Sequence, residues 1–257
     1  MVFLKAQASM FSDAKLYSMY QIANTPVRAY PFQHLYVENI FPPALYSEIR
    51  RLLPANSDYK RLADTGRVTG YSQARLCLFP NDIDGTALDH ERKTFWTTFF
   101  NTYLDQELVR MWISTFGSTI SERMTSGGVQ EKNPGGKVSI STEIFLVRDL
   151  QSFALKPHTD TPRKILTVLY YLPPDDTYAV MGTSIYRPKD AGFSSNSGRK
   201  SRRDDFDLVT TLPYRANCAV SFARTDTSFH GVEALDVPSF ERDLIIFDLK
   251  FTDPDSF

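Results

Sequence analysis

The stretch that decides the fold is Lys156-Pro157-His158-Thr159-Asp160-Thr161-Pro162, followed at once by an apolar run over residues 164–172. Side chains two positions apart on an extended strand point to the same face, so His158 and Asp160 are predicted to share one face. The apolar run is typical of a buried strand. Taken alone, the His-x-Asp pair could also be an accidental pair in a loop.

Short β segments repeat from residue 137 to residue 251, separated by turn residues. Many of them are apolar at alternate positions, and closing such a set as two sheets protects the strand edges. We therefore predict a mainly β fold, a double-stranded β-helix (a jelly roll, cupin-like). The eight predicted strands are 138–147, the His-x-Asp strand, 165–172, 182–186, 207–212, 219–224, 229–235 and 242–251.

The residues before this repeat have a different pattern. Residues 31–41 alternate as a strand does, residues 44–53 and 91–124 have helical spacing, and residues 75–79 are predicted as a short strand. Residues 1–30 are predicted as a helical arm. We expect one domain over residues 1–257, with a helical and variable part (1–136) packed on a β core (137–251).

Composition excludes several classes of protein. With 42% hydrophobic residues the chain can bury a substantial core, and its 29 basic and 30 acidic residues give no global charge for nucleic acid or an anionic membrane. Only two cysteines are present, Cys77 and Cys218, which is too few for a disulfide framework. We see no signal peptide and no apolar window of membrane-spanning length. A cytoplasmic protein is the expectation.

A second histidine gives the His-x-Asp pair a chemical meaning. His230 lies on a later predicted strand, so two imidazoles and one carboxylate can occupy three corners of an octahedron. This is the ligand set of non-haem Fe(II) oxygenases, in which the opposite face stays open. His34 and His90 have no partner at a metal-binding spacing and are predicted to be structural.

With Arg242 at the head of the last strand, the ordered set resembles the Fe(II)/2-oxoglutarate dioxygenase superfamily, in particular its prolyl-4-hydroxylase-like branch. The resemblance covers about residues 137–251 and, more loosely, residues 31–54. It implies that His158, Asp160 and His230 are the iron ligands and that Arg242 binds the distal carboxylate of 2-oxoglutarate. A planar, always-charged fork suits that carboxylate. The alternative is that Arg242 forms a surface salt bridge beside Glu241 and Asp243.

The same resemblance implies further co-substrate contacts. A tyrosine of that family hydrogen-bonds the distal carboxylate, and Tyr171 is the candidate here, although it could equally be a core aromatic. Thr167 is a further candidate for cofactor binding. Residues 182–186 stand where the family has Gly-Gly-x-Leu, but only one of the two glycines is present.

The resemblance also implies the reaction: Fe(II), 2-oxoglutarate and O2, with ascorbate as a candidate reductant, would hydroxylate an unactivated C–H bond and give succinate and CO2. Asp160 leaves no vacancy for a halide, so a halogenase is not expected. Desaturation or ring formation stays open. The alternatives are a protein or peptide hydroxylase of the same superfamily and a non-catalytic cupin-type module that binds a metal or ligand.

The substrate signal is weaker. Arg148, Arg163 and Arg224 are predicted to line the mouth of the pocket. Residues 187–205 are rich in Ser, Gly, Arg and Lys, and they read as a lid over an anionic or carrier-linked small molecule or as a solvated charged loop. We expect no nucleic acid and no membrane partner, and the oligomeric state stays open. The lid hypothesis names Arg199, Lys200, Arg202 and Arg203.

Overall fold

Two antiparallel sheets lie at the centre of the computed structural model, which describes residues 2–67, 72–126, 139–195, 202–234 and 237–252. The strands in these residues are β1 (His34–Val37), β2 (Lys60–Arg61), β3 (Arg75–Leu78), β4 (Ile140–Asp149), β5 (Leu155–His158), β6 (Lys164–Tyr171), β7 (Thr183–Pro188), β8 (Phe206–Leu212), β9 (Cys218–Ala223), β10 (His230–Val232) and β11 (Arg242–Phe251).

From β4 onward the chain passes back and forth between the two sheets, except that β7 and β8 follow each other in the smaller sheet. The larger sheet has the order β1-β9-β6-β11-β4-β3-β2, and the smaller has the order β5-β10-β7-β8. The eight strands from β4 to β11 are thus divided four and four. This is the double-stranded β-helix, and the predicted fold class is confirmed.

Strand β11 is the centre of the larger sheet. It pairs with β4 along its whole length and with β6 on its other side, and nine of its ten residues are buried. Because both faces are covered, residues 244–247 at the middle of the strand form a continuous apolar run. Its residues from Arg242 to Lys250, at every second position, line one cavity. The strand therefore connects the two ends of that cavity.

The helices in the described residues are α1 (Val2–Ala23), α2 (Pro43–Arg51), α3 (His90–Thr102), α4 (Gln106–Thr115) and α5 (Gly117–Ser126). The predicted helical stretch 91–124 is thus divided into three helices. Asp105 sits at the break and its carboxylate accepts the backbone N–H groups of Glu107 (3.0 Å) and Leu108 (3.3 Å). Such a cap starts α4 as a new helix. None of the described helices is both long and apolar enough to cross a membrane.

Helix α1 docks on the helical layer. The ring of Phe11 meets Phe95 and Phe99 edge-on, at 5.6 and 5.7 Å between centroids. Lys15 is 2.5 Å from the carboxylate of Glu107 and also pairs with Asp105. One apolar cluster joins these helices to the larger sheet, and a second cluster fills the space between the two sheets. The cavity opens within this second, inter-sheet space.

Candidate metal centre and its cavity

The two predicted histidine ligands meet across one pair of strands. His158 is the last residue of β5 and His230 is the first residue of β10, and the register places them directly opposite each other. Their ring centroids are 4.4 Å apart. Asp160 lies two residues beyond the end of β5, in the following loop. One ligand atom from each of the three side chains lies within 4.8 Å of the others.

The side chains of His158 and Asp160 do meet, as predicted. The predicted reason, that both lie on one face of a strand, is wrong. The strand stops at His158, and the loop carries the Asp160 carboxylate to the histidines. Arg224 supports this loop: its Nε donates to the backbone carbonyl of Asp160 at 3.2 Å.

A close approach of two backbones sets the histidine pairing. A Cβ at Gly231 would lie 2.4 Å from the carbonyl oxygen of Leu155 and 3.2 Å from that of Lys156. A side chain at this position would push β10 away from β5. The glycine that follows His230 is thus needed to keep His230 opposite His158.

Backbone carbonyls fix the tautomer of both rings. Nδ1 of His158 is 2.9 Å from the carbonyl oxygen of Lys156, and Nδ1 of His230 is 3.0 Å from that of Ser228. A carbonyl only accepts, so each Nδ1 must carry the proton and each neutral ring keeps its lone pair on Nε2. This is the usual second hydrogen bond of a metal-binding histidine.

The charge states also suit a divalent cation. Burial lowers the pKa of His158. Burial and the neighbouring His158 ring together lower the pKa of His230 to about 3. Burial disfavours the charged form of Asp160, but the Lys164 ammonium and the two imidazoles outweigh it and lower the pKa of that carboxyl. Two neutral imidazoles and one carboxylate are the forms that bind metal.

The Asp160 carboxylate is held by its neighbours on β6. Nζ of Lys164 lies 2.9 Å from one oxygen, and the hydroxyl of Thr167 donates to the other at 2.8 Å. The buried Asp248 on β11 is 3.1 Å from each of these two partners. Thr167 contacts the candidate metal ligand and also lines the cavity, so its predicted contact with the co-substrate stays a prediction.

The three candidate ligands line a cavity of about 730 Å³ that lies between the sheets. Its inner end is formed by Arg75 on β3 and Arg242 on β11, and both guanidiniums bind Asp149. Nε and an Nη of Arg75 lie 2.5 and 2.8 Å from the two oxygens of Asp149, and an Nη of Arg242 lies 2.9 Å away. Asp149 and Arg242 are fully buried. Two guanidiniums thus share one carboxylate.

Arg242 therefore pairs with Asp149, not with its chain neighbours Glu241 and Asp243. A second Nη of Arg242 is 3.4 Å from the hydroxyl of Thr183. Its Nε is buried and has no hydrogen-bond partner among the residues that the structure describes. A buried donor without a partner is rare and disfavoured.

Tyr171 is buried behind this end. Its hydroxyl donates to Thr183 at 2.6 Å and accepts from the backbone N–H of Thr183 at 3.0 Å. The Arg242 guanidinium lies 5.4 Å from the centroid of its ring. Tyr171 itself does not reach the cavity surface. It positions Thr183 and Arg242, which both line the cavity.

The three arginines predicted at the pocket mouth have different places. Arg163 lines the cavity at its outer end. Arg224 is buried beside the cavity and is linked to the Asp160 loop. The prediction for Arg148 is wrong: neighbouring residues of a strand point to opposite faces, and Asp149 takes the cavity side. Arg148 instead pairs with Asp243 at 2.7 Å on the other face.

The charged loop lies outside the cavity wall as far as the structure describes it. Arg199 and Lys200 lie outside the described residues. Arg203 pairs with Glu233 at 3.1 Å, and Arg187, at the start of the loop, pairs with Asp207 at 2.8 Å. Neither they nor Arg202 line the cavity. The lid stays a prediction.

Several residues of the site were missed from the sequence. Asp248 and Lys250 continue the alternation that begins at Arg242, and charged residues at such positions of an apolar strand were a usable signal. Arg75 and Asp149 gave no comparable signal, because only the pairing of β3 with β4 brings them together.

No family model matches the sequence, and a search of curated proteins found no match. Solved structures are similar in fold. They include a prolyl-4-hydroxylase from Pseudomonas putida (12% identity, 94% of this chain and 99% of that chain, TM-score 0.47). A 2OG-Fe(II) oxygenase family oxidoreductase from Burkholderia pseudomallei has 10% identity, covering 93% and 89%, with a TM-score of 0.45.

A third similar structure is HygX from Streptomyces hygroscopicus with nickel, 2-oxoglutarate and hygromycin B bound. Its identity is 12%, the match covers 85% of this chain and 83% of that chain, and the TM-score is 0.41. At such identities and with TM-scores below 0.5, these similarities do not assign a function to the chain. The functional conclusion depends on the site.

Proposed function

We propose that the protein is an Fe(II)- and 2-oxoglutarate-dependent dioxygenase that hydroxylates an unactivated C–H bond of a small molecule, with succinate and CO2 as co-products. The observation that carries the proposal is the shared cavity. Three side chains of a facial metal-ligand set lie in its wall, and a buried guanidinium with an unused donor lies at its inner end.

The ligand residues fit Fe(II). His158, Asp160 and His230 would hold the metal through two Nε2 atoms and one carboxylate oxygen, and the positions facing the cavity would remain for other ligands. Bound iron would supply the redox and O2 chemistry that no side chain of the protein can supply. Lys164 and Thr167 hold the Asp160 carboxylate in one orientation, which favours binding through a single oxygen.

The inner end fits a dicarboxylate. Nε of Arg242 is buried and has no hydrogen-bond partner among the described residues, so a carboxylate bound at this end would accept a hydrogen bond from it. Between this end and the triad the cavity is lined by Leu169, Leu244 and Ile246, which suit the methylene carbons of 2-oxoglutarate and exclude water. A module that binds only a metal has no need for this clamp, which favours the enzyme over the cupin-type alternative.

The proposal also covers the compartment, the class of substrate and the domain organisation. Both cysteines are free thiols in the structure, in keeping with a reducing cytoplasm. The substrate is proposed to be a small molecule that is anionic or carrier-linked, and the chain to act as one domain. Succinate and CO2 are the products that an assay would follow.

An anaerobic titration tests the proposal. Fe(II) and then 2-oxoglutarate are added to the metal-free protein while its visible absorption is recorded. We expect a weak charge-transfer band that needs both additions. His158→Ala should abolish the band, and the matched control His90→Ala, which changes an exposed histidine at the start of α3, should keep it. If the folded wild type gives no band, the metal or the co-substrate is wrongly assigned.

A further inference from the structure

The outer end of the cavity carries more positive charge than its own carboxylates balance. Beyond the triad, β11 contributes Asp248 and Lys250, and β6 begins with Lys164 directly opposite Lys250 in the register. Arg163, just before β6, accepts the backbone N–H of Phe251 at 2.9 Å and so lies beside the end of β11. Arg67 also lines this end.

The carboxylates here are shared. Glu143 on β4 pairs with both Arg67 and Lys250. Asp248 lies 3.1 Å from Nζ of Lys164 and 3.8 Å from Nζ of Lys250. Apart from the candidate metal ligand Asp160, two carboxylates thus face four cations among the described residues of this outer end.

Arg163 is the least satisfied of these cations. Among the residues that the structure describes it has no carboxylate partner, and its guanidinium contacts only the carbonyl oxygens of Phe251 and Thr252, at 3.4 and 3.5 Å. The side chain is exposed at the mouth, where its charge is hydrated and available to a ligand. The two contacts of the Arg163 guanidinium with carbonyl oxygens, at 3.4 and 3.5 Å, are weak hydrogen bonds.

Like charges directly opposite each other on paired strands destabilise a sheet, and Lys164 and Lys250 are such a pair. Burial lowers the pKa of Lys250, and Lys164, Arg67 and Arg163 add to this effect while Asp248 opposes it. The fold thus keeps cations together at the edge of a cleft. Such a cleft concentrates anions.

We propose that Arg163 and Lys250 form an oxyanion subsite that binds a carboxylate or phosphate group of the primary substrate. The inference rests on the proposed function for the identity of that ligand as substrate. The triad lies between the two ends, so one oxyanion, from 2-oxoglutarate, would bind at the inner end and the other, from the substrate, at the outer end. The carbon to be oxidised would then lie between the substrate's anionic group and the metal.

Calorimetry with two simple probes tests the subsite. Inorganic phosphate and acetate are titrated separately, at constant ionic strength, into protein that holds Ni(II) and saturating 2-oxoglutarate. We expect at least one probe to bind, with about tenfold weaker affinity in Arg163→Gln or Lys250→Gln, because one charge-assisted contact is lost. Binding of phosphate alone indicates a phosphate-bearing substrate, and binding of acetate alone indicates a carboxylate.

The matched control is Arg215→Gln, which removes an exposed, paired arginine outside both the cavity and the 187–205 loop and should leave both affinities unchanged. Absence of binding to the wild type at millimolar probe overturns the inference, and so does equal binding by wild type and Arg163→Gln. Lys250→Gln also removes contacts to Glu143 and Asp248 and could fail to fold. In that case Arg163→Gln, which removes only two weak contacts, decides the test.

The failure of this inference can be told apart from the failure of the proposed function. The binding of 2-oxoglutarate is measured first in the same preparation, in the presence of Ni(II). If 2-oxoglutarate binds tightly but Arg163→Gln binds the probes as the wild type does, only the outer subsite is refuted. Probe binding that is lost in Arg242→Gln but kept in Arg163→Gln would place the anion at the inner end, which also overturns the inference.

Discussion

The two ends of the cavity both carry cationic side chains, but the fold balances their charges differently. At the inner end, Arg75 and Arg242 share the fully buried Asp149 through three hydrogen bonds of 2.5–2.9 Å. At the outer end, Glu143 and Asp248 are divided among three cations, and a fourth, Arg163, is exposed and has no carboxylate partner among the described residues. A buried charge without a partner is strongly destabilising, whereas water stabilises an exposed one.

Under the proposed function, this difference would separate two tasks. The inner end must stay assembled without ligand, which suits a co-substrate of one fixed shape. The outer end can leave part of its charge to water until a ligand arrives, which suits the substrate. The triad lies between them, held by its own hydrogen bonds to backbone carbonyls and to Lys164 and Thr167. The two ends should therefore respond separately to substitution.

The largest effect is expected at the triad itself. Asp160→Ala leaves two imidazoles as the only protein ligands in the candidate set, so 2-oxoglutarate-dependent succinate formation should be abolished. Probe binding at the outer end should persist, because Arg163 and Lys250 are unchanged. The measurement is succinate release together with phosphate calorimetry. The control is Asp84→Ala, at an exposed aspartate outside the cavity, and near-native succinate release from Asp160→Ala would refute the triad.

The next effect is on stability at the inner end. Arg75→Gln removes two hydrogen bonds to Asp149 and leaves one guanidinium for that buried carboxylate. Breaking a buried pair by removing one partner typically costs about 3–5 kcal/mol of unfolding free energy. Urea denaturation measures the loss, with Arg187→Gln as an exposed-pair control that should unfold as the wild type does. If Arg75→Gln is as stable as the wild type, water stabilises the charges at the inner end as it does those at the outer end.

A smaller effect separates co-substrate binding from charge. Arg242→Lys keeps the positive charge but loses the planar fork and the Nε donor, so the affinity for 2-oxoglutarate should fall by about tenfold. The metal affinity should stay near that of the wild type, because Arg242 does not contact the triad. Both constants are measured by calorimetry with Ni(II). A parallel fall of the two would show that Arg242 is structural.

How far the sequence predicts this arrangement depends on the range of each interaction. The β core was predictable because turn residues and alternating apolar positions act locally, and all eight predicted core strands are present within a few residues. The inner end was only half predictable. Arg242 heads a recognisable strand, but Arg75 and Asp149 meet only because β3 pairs with β4 across a long stretch of chain.

The errors have physical reasons of the same kind. Strand β5 ends at His158, so the alternation rule does not apply to Asp160, whose place is set by Lys164, Thr167 and Arg224. Arg148 was assigned to the pocket without knowing which face of β4 points inward. The register with Asp243 on β11 decides that question, and no local signal in the sequence carries a register.

The smallest predicted effect is at the outer end and completes the contrast. Arg163→Gln removes an exposed charge that has only two long contacts to carbonyl oxygens, so the free energy of unfolding should change by no more than about 0.5 kcal/mol. Removing one of several neighbouring cations also relieves repulsion with Lys250, which favours a small gain over a loss. The measurement is urea denaturation at low and at high salt, since salt screens this repulsion and should narrow any gain. A loss above about 1 kcal/mol of unfolding free energy would show that Arg163 stabilises the end of β11. The cations of the outer end would then stabilise the fold, as those of the inner end do.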